Sequence, residues 1–372
     1  MAEIQLVNVA KAFENKVALR SVDLTVEDGE FFSLLGPSGC GKSTLLNIIC
    51  GLEAPSSGRI LIGGVDVTHV PPKDRGIAMV FQDYALYPHM TVRGNLELPL
   101  KAAKESSAHR DRKIREVSEV LAIDDMLESY PRHLSGGQRQ RVALGRALVR
   151  SPKVFLMDEP LSNLDARLRI QMRAELRLLK ERLGVTVIYV THDQAEAMTL
   201  SDRMAVMARG ELQQVGTPIR LYNKPVNQFV ASFLGDIGIN LMEGLMEGGG
   251  SYDVRVEGGG PLLTLDASFD GIANAVPIGF PVLVGVRPEH VRLHQTSRPG
   301  AAQGEVVLCE QLGSEQHVHV RVGKNVLVAR VAPNIGFRIQ QPVFVTLSVE
   351  TLCLFDRANA TALSAPAELA VA

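Results

Sequence analysis

The run Gly36-Pro37-Ser38-Gly39-Cys40-Gly41-Lys42-Ser43-Thr44 constrains this chain more than any other stretch of it. It fits G-x-x-x-x-G-K-[ST], a loop whose backbone wraps a polyphosphate, and the pattern has that meaning only between a strand and a helix. Residues 31–35 supply the strand, apolar apart from Ser33, as expected where both faces of a sheet are covered. Glycines at 36, 39 and 41 let the backbone turn tightly and aim successive N–H groups inward. The helix opening near Lys42 adds its positive dipole end. Lys42 would reach the β- and γ-phosphates, and the Ser43 hydroxyl would ligate Mg²⁺. Cys40 sits inside the loop, where oxidation would block the nucleotide; its plain reading is a small filler residue.

At 372 residues the chain suits two domains, each with its own core. With 39 basic and 41 acidic residues it carries no electrostatic footprint of nucleic-acid binding. The basic stretch 101–115 reads as a solvated helix face. The opening, Met1-Ala2-Glu3-Ile4-Gln5, is acidic and strand-like, unlike a secretory signal. The most apolar window, 271–286, is interrupted by Asn274, Pro277 and Pro281, which disqualifies it as a membrane span. Cys40, Cys50, Cys309 and Cys353 form no C-x-x-C pair and show no disulfide spacing. Together these features predict a cytosolic protein that meets a membrane only through a partner.

Residues 1–235 alternate short strands with helical patterns, as in an α/β domain with a mainly parallel sheet. The first strand changes alternation midway: Ile4 and Leu6 flank Gln5, then Val7 and Val9 flank Asn8. Val22, Leu24 and Val26 alternate cleanly, so the start predicts an antiparallel region. Further buried strands at 77–80, 154–157 and 185–190 end in Gln82, Asp158-Glu159 and His192. Ligands of such sheets bind outside the carboxyl ends of the strands. Residues 90–152 read as a helical insertion. In 166–183, Leu168, Met172, Leu176, Leu179 and Leu183 recur at helical spacing, which is core packing. From 236 onward, glycine clusters at 248–250 and 258–260 separate short β-rich runs such as 282–284 and 326–328. That pattern predicts a small barrel or sandwich, with an alanine-rich tail after Ala358 that frays. The expected domains are 1–235, with a helical subdomain at about 90–152, and 236–372.

Asp158 closes an apolar strand and, paired with the phosphate loop, reads as the carboxylate that holds Mg²⁺ through water. Glu159 beside it would orient and deprotonate the attacking water; the alternative is a helix-start acid, since Pro160 follows. His192 would donate to the γ-phosphate and fix that water. Phe13, at the turn after the first strand, has two open readings: an aromatic face for adenine, or a core side chain. Leu134-Ser135-Gly136-Gly137-Gln138 precedes a helix that runs to about Arg150. Ser135 suits its N-cap, and the glycines leave helix N–H groups open to a second anion. One ATP does not need two cradles in one chain. The economical arrangement is a head-to-tail pair, in which each Ser135 loop caps the ATP on the other copy's Lys42 loop.

With these residues assembled, the chain resembles the ATP-binding subunits of ABC transporters. The phosphate loop, Gln82, the Ser135 signature with Gly137 and Gln138, Asp158-Glu159, Leu161-Ser162-Asn163-Leu164-Asp165 and His192 follow one another within residues 1–235. The resemblance implies that Phe13 stacks on adenine and that Gln82 senses both Mg²⁺ and the γ-phosphate. It also implies that the Asp165 loop runs along a dimer interface and links two ATP sites. A closer similarity is to the importer group that includes the maltose and glycerol-3-phosphate uptake ATPases. It is carried by residues 72–82, Tyr84-Ala85-Leu86-Tyr87-Pro88-His89-Met90, Gly285-Val286-Arg287-Pro288-Glu289-His290 and Leu312-Gly313-Ser314-Glu315. After Phe233-Leu234-Gly235 the chain departs from that group, reading Asp236-Ile237-Gly238-Ile239-Asn240 where relatives carry a Ser-Pro segment.

That resemblance implies an α/β P-loop ATPase domain with a helical subdomain, followed by an all-β, OB-like (TOBE/MOP-type) regulatory domain. It implies a homodimer, or a heterodimer with a close paralogue, peripheral at the cytoplasmic face of the inner membrane. Two membrane permease subunits would seat near residues 84–90, and a separate extracytoplasmic solute-binding protein would deliver the substrate. Iron, polyamine and molybdate importers share this architecture. A non-transport ABC ATPase would need long coiled-coil insertions or two ATPase halves, and neither is in the sequence. A GTPase is excluded because Asn223-Lys224-Pro225-Val226 lacks the aspartate of an N-K-x-D box.

Overall fold

The first strand, β1 (Ile4–Phe13), changes face where its alternation slips. Asn8 takes φ 49° and its N–H donates to Asp23 Oδ1 at 2.8 Å, so Leu6 pairs with Leu24 while Val9 pairs with Val22. This is a β-bulge, with one extra residue turning the strand. The structure is a computed structural model and describes residues 2–14, 16–247, 253–265, 269 and 276–363. It divides into two compact units, Met1–Pro218 and Ile219–Ala372.

After β1 the first unit runs β2 (Lys16–Val26), β3 (Phe31–Leu35), α1 (Lys42–Cys50), β4 (Ser57–Ile62), β5 (Val65–Asp66) and β6 (Ile77–Val80). Then come α2 (Val92–Ala102), α3 (Ser107–Leu121), α4 (Gly136–Leu148), β7 (Val154–Asp158), α5 (Ala166–Leu183), β8 (Thr186–Thr191), α6 (Gln194–Leu200), β9 (Arg203–Ala208) and β10 (Glu211–Gly216). An antiparallel sheet has the order β2-β1-β4-β5, and a six-stranded sheet has the order β10-β9-β3-β8-β7-β6. The latter is parallel except for the β9–β10 hairpin.

Alternate residues of the central strands feed two cores. Phe31, Phe155, Met157, Val187 and Tyr189 join the helical layer, while Phe32, Leu34, Leu156, Ile188 and Val190 pack with α1 and the antiparallel sheet. Ser33, the one polar residue of β3, is satisfied by Ser201 Oγ at 2.5 Å. The basic stretch 101–115 is two helix ends rather than one face. It crosses from α2 to α3, whose N-cap is Ser106, and Arg110 pairs with Glu97 at 3.0 Å.

Helix α1 is fixed at both ends. Its N-cap is Gly41 at φ 111°, a conformation closed to a residue with a Cβ, where a Cβ would meet Ala18 O at 2.8 Å. At the other end the buried Arg75 guanidinium donates to Ile48 O (2.9 Å), Ile49 O (2.8 Å), Thr68 O (3.0 Å) and Val70 O (2.7 Å). It satisfies carbonyls that a helix end leaves open and ties them to the loop entering β6.

The second unit has α7 (Pro218–Asn223) and α8 (Gln228–Phe233), then β11 (Asn240–Glu247), β12 (Asp253–Val256), β13 (Leu262–Thr264), β14 (Pro281–Val286) and β15 (Val291–His294). It ends with β16 (Ala302–Gln311), β17 (Gln316–Val322), β18 (Asn325–Val331), β19 (Pro342–Leu347) and β20 (Cys353–Asp356). Two antiparallel sheets, β13-β12-β11-β14-β20 and β15-β19-β16-β17-β18, share one core that includes Met242, Val284, Val306, Val320 and Val343.

The compact unit begins ahead of the composition shift at Gly235, and Arg287 explains why. Its buried guanidinium donates to Ala231 O (3.0 Å), Leu234 O and Tyr222 O (2.9 Å), and lies 3.9 Å from the centre of the Tyr222 ring. It thereby holds α7 and α8 to the β-rich unit. Burial and the 2.5 Å bond to Glu289 push the Tyr222 phenol up to about 12. In the divergent 236–240 segment, Asn240 exchanges two hydrogen bonds with the Val328 backbone, at 2.9 and 2.7 Å. The 248–250 glycine cluster, residues 271–275 of the apolar window and the tail from 364 lie outside the described residues, as does the Leu183 side chain.

Candidate nucleotide site

A cleft of about 330 Å³ opens at the phosphate loop, lined by Phe13, Lys16, Ser38, Lys42, Ser43 and Glu159 among others. Gly39, Gly41 and Thr44 are also on its wall. Lys42 is buried, and its ammonium donates to Gly36 O at 2.7 Å and Pro37 O at 3.1 Å, which folds it over the loop. A Cβ at Gly36 would meet Met207 O at 2.4 Å, so β9 packs directly on the loop's entry. Cys40 joins the core beneath the loop, with Sγ 3.8 Å from Lys42 Nζ, which fits the filler reading. Phe13 is 43% exposed and belongs to neither core, with Lys11 Nζ 4.8 Å from its ring centre. The core reading of Phe13 therefore falls.

Asp158 ends β7 and accepts from Ser43 Oγ at 3.4 Å. Burial raises its pKa, the neighbouring Glu159 raises it further, and Ser43 and Lys42 oppose both. Glu159 is not at a helix start: a turn follows, and α5 begins only at Ala166. Its backbone sits at φ 44°, strained for a residue with a side chain. It is pinned there because its N–H donates to Val190 O at 2.9 Å and its carbonyl accepts from Ser162 Oγ at 2.8 Å. The twist turns the carboxylate toward His192, whose Nδ1 is 3.0 Å from Oε2. The side chain of His192 remains 55% exposed.

Gln82 lies in the turn after β6 with an exposed side chain, and its carbonyl accepts from Asn163 Nδ2 at 2.8 Å. The segment after it is clamped. Tyr84 and Ala85 both take positive φ, and their carbonyls accept from Arg146 of α4 at 3.0 and 2.5 Å. Ser135 is the N-cap of α4 in a capping box with Gln138, whose Oε1 accepts from Ser135 N–H at 2.8 Å. The adjacent glycines have a packing reason as well. A Cβ at Gly136 would meet Leu164 Cδ2 at 2.9 Å, and one at Gly137 would meet Leu168 Cδ1 at 3.2 Å. Asp165 is the exposed N-cap of α5. None of Ser135, Gly137, Gln138 and Asp165 is among the residues that line the cleft of their own chain. Sequence reasoning missed the Arg146 contacts, because an arginine among many on helices carries no signal of what it bonds.

The residues fit a magnesium ion. A hydroxyl and a carboxylate, hard oxygen donors, face each other across 3.4 Å. A half-buried carboxylate with a second one beside it gains most from a neighbouring cation. Among the described residues no three His, Cys, Asp or Glu side chains gather as a metal cluster, so further ligands would come from water and phosphate oxygens.

Residues 19–162 match the family described as ABC transporter, and residues 284–355 match the TOBE domain. The trehalose/maltose import ATP-binding protein MalK of Thermococcus litoralis is 48% identical over 374 residues, covering 98% of this chain and 100% of that protein. The chain belongs to the ABC transporter family of ATP-binding proteins. The sn-glycerol-3-phosphate import ATP-binding protein UgpC 3 of Rhizobium etli is 47% identical, covering 93% of this chain and 96% of that protein. Among solved structures, the dimeric post-hydrolysis ATP-binding cassette MJ0796, bound to ADP and phosphate, aligns at 34% identity and TM-score 0.51. That alignment covers 58% of this chain and 98% of the cassette. As an ABC family member the chain is an ATP hydrolase, with the P-loop ATPase fold and the OB-like TOBE domain that the resemblance implied. Among the described residues no helix is long and apolar enough to cross a membrane.

Proposed function

We propose that this subunit powers a membrane importer for a sugar, an oligosaccharide or glycerol-3-phosphate, and that it splits ATP at sites shared by two copies. The observation that carries the catalytic reading is the meeting of Glu159 with His192 at 3.0 Å, beside Ser43 and Asp158. Lys42 and the N–H groups of the phosphate loop hold the β- and γ-phosphates, and Phe13 offers its exposed face to adenine. Ser43 and Asp158, with Gln82, would hold Mg²⁺, which when bound would neutralise charge on the phosphates. Glu159 takes the proton of the attacking water, and His192 steadies that carboxylate and the γ-phosphate. Ser135, Gly137 and Gln138 close from the opposite copy, with Asp165 between the two sites.

The solute class rests on relatives that match both units of the chain; they lend no support to iron, polyamine or molybdate. The partners are a second copy or a close paralogue, two permease subunits seated near 84–90 and an extracytoplasmic solute-binding protein. The subunit sits peripherally at the cytoplasmic face of the membrane. The test is reconstitution of the subunit with its co-purified membrane proteins in vesicles. Sugar or glycerol-3-phosphate with the cognate binding protein should stimulate ATP hydrolysis. Stimulation by iron, polyamine or molybdate in its place would overturn the solute class.

A further inference from the structure

Glu196 has no part in the chemistry above, yet its carboxylate is buried and heavily bonded, at 2% exposure. Tyr189 Oη and Thr191 Oγ1 donate to Oε2 at 2.8 and 2.7 Å, while Oε1 faces Arg169 Nε at 3.9 Å. Burial raises its pKa, and the two hydroxyls and Arg169 oppose the shift. These groups bracket His192 in the chain. Asp193 caps α6 by accepting from Glu196 N–H at 3.1 Å, and its own N–H donates to Thr191 Oγ1 at 2.9 Å. Arg169 Nη1 then donates to Asp193 Oδ2 at 3.1 Å, and Nη2 donates to Leu164 O at 3.2 Å. One guanidinium therefore joins the residue before Asp165 to the residue after His192.

We infer that Arg169 and Glu196 are positioning residues: they hold the turn that presents His192 to Glu159 and tie it to the Asp165 loop. The inference rests on the proposed role of His192. The fork of Arg169 is what permits the link, because its separate N–H groups reach two elements at once, whereas a lysine ammonium is a single point charge. A partner copy pressing on the Asp165 loop then shifts Arg169, and with it the turn that carries His192. Geometry at the second copy's contact and geometry at the reacting water become one variable.

The test compares Arg169→Gln, Arg169→Lys and Glu196→Gln with His192→Ala in the full-length chain, reading kcat, KM for ATP, nucleotide affinity and unfolding midpoint. Misplacing a catalytic group by about an ångström costs up to roughly a hundredfold. Arg169→Gln and Glu196→Gln should therefore lower kcat about tenfold or more, leaving KM and nucleotide affinity within about twofold. Arg169→Lys should recover only part of that loss, and the His192 imidazole resonances should move in Arg169→Gln without a matching fall in unfolding midpoint. Tyr189→Phe, which removes one donor to Glu196 and keeps the ring, should show the same split at smaller size and serves if the charged variants fold poorly. Unchanged kcat in Arg169→Gln and Tyr189→Phe alongside a collapsed His192→Ala would overturn the inference alone. So would losses that track the unfolding midpoint in every variant. Full turnover by His192→Ala would instead overturn the reading of the site on which the inference rests.

Discussion

Glu159→Gln is expected to bind ATP and leave it uncut. The side chain keeps its shape and the backbone keeps its φ of 44°, so the turn after β7 and its bond to Val190 are undisturbed. What is lost is the ability to accept a proton from water, a contribution of about 10²–10⁴ in rate. Nucleotide affinity should persist, because Lys42 and the loop N–H groups do the holding. With turnover blocked, the closed pair has no route to reopen, and an ATP-bound dimer should survive on a sizing column. Turnover near the wild-type rate would remove this carboxylate from its assigned role.

Ser135→Arg is expected to silence hydrolysis in its own homodimer by obstructing the opposite copy's site. The substitution also removes an N-cap, which costs about 1 kcal/mol, so Ser135→Asn, which can still cap, controls for loosening of α4. A mixture of Ser135→Arg and Lys42→Ala chains isolates the sharing. In a mixed dimer one site pairs an intact Lys42 with an intact Ser135, and the other carries both lesions. Turnover should then stay below about half that of the wild type, the most that one good site of a two-fold pair can give. A full wild-type rate from that mixture would contradict the shared site.

Much of the site was legible because its motifs lie where strands end. The buried strands β3, β6, β7 and β8 are apolar runs in sequence, and each delivers its polar group at the carboxyl end. Phe13 could not be placed the same way. Register slips follow Leu6, Val9 and Lys11, so the parity that tells inside from outside is lost before the strand reaches it. Strand β9 was also invisible. Its Met-Ala-Val-Met-Ala run favours no strand by itself and is extended because it pairs with β3. The start of the second unit was hidden for a different reason. Arg287 reaches back to carbonyls more than fifty residues earlier, at Ala231 and Leu234, and local composition does not report such a contact. The glycines of the Ser135 loop looked like an opening for an anion, whereas the structure gives them a packing reason too, against Leu164 and Leu168.

The most direct measurement is ATP turnover per chain across a dilution series, with molecular mass followed by light scattering at each concentration. If two copies enclose each ATP, turnover per chain should fall as the dimer dissociates and vanish in strictly monomeric material. A rate per chain that stays constant into the monomer would show that Glu159 and His192 suffice within one copy, and would contradict the account.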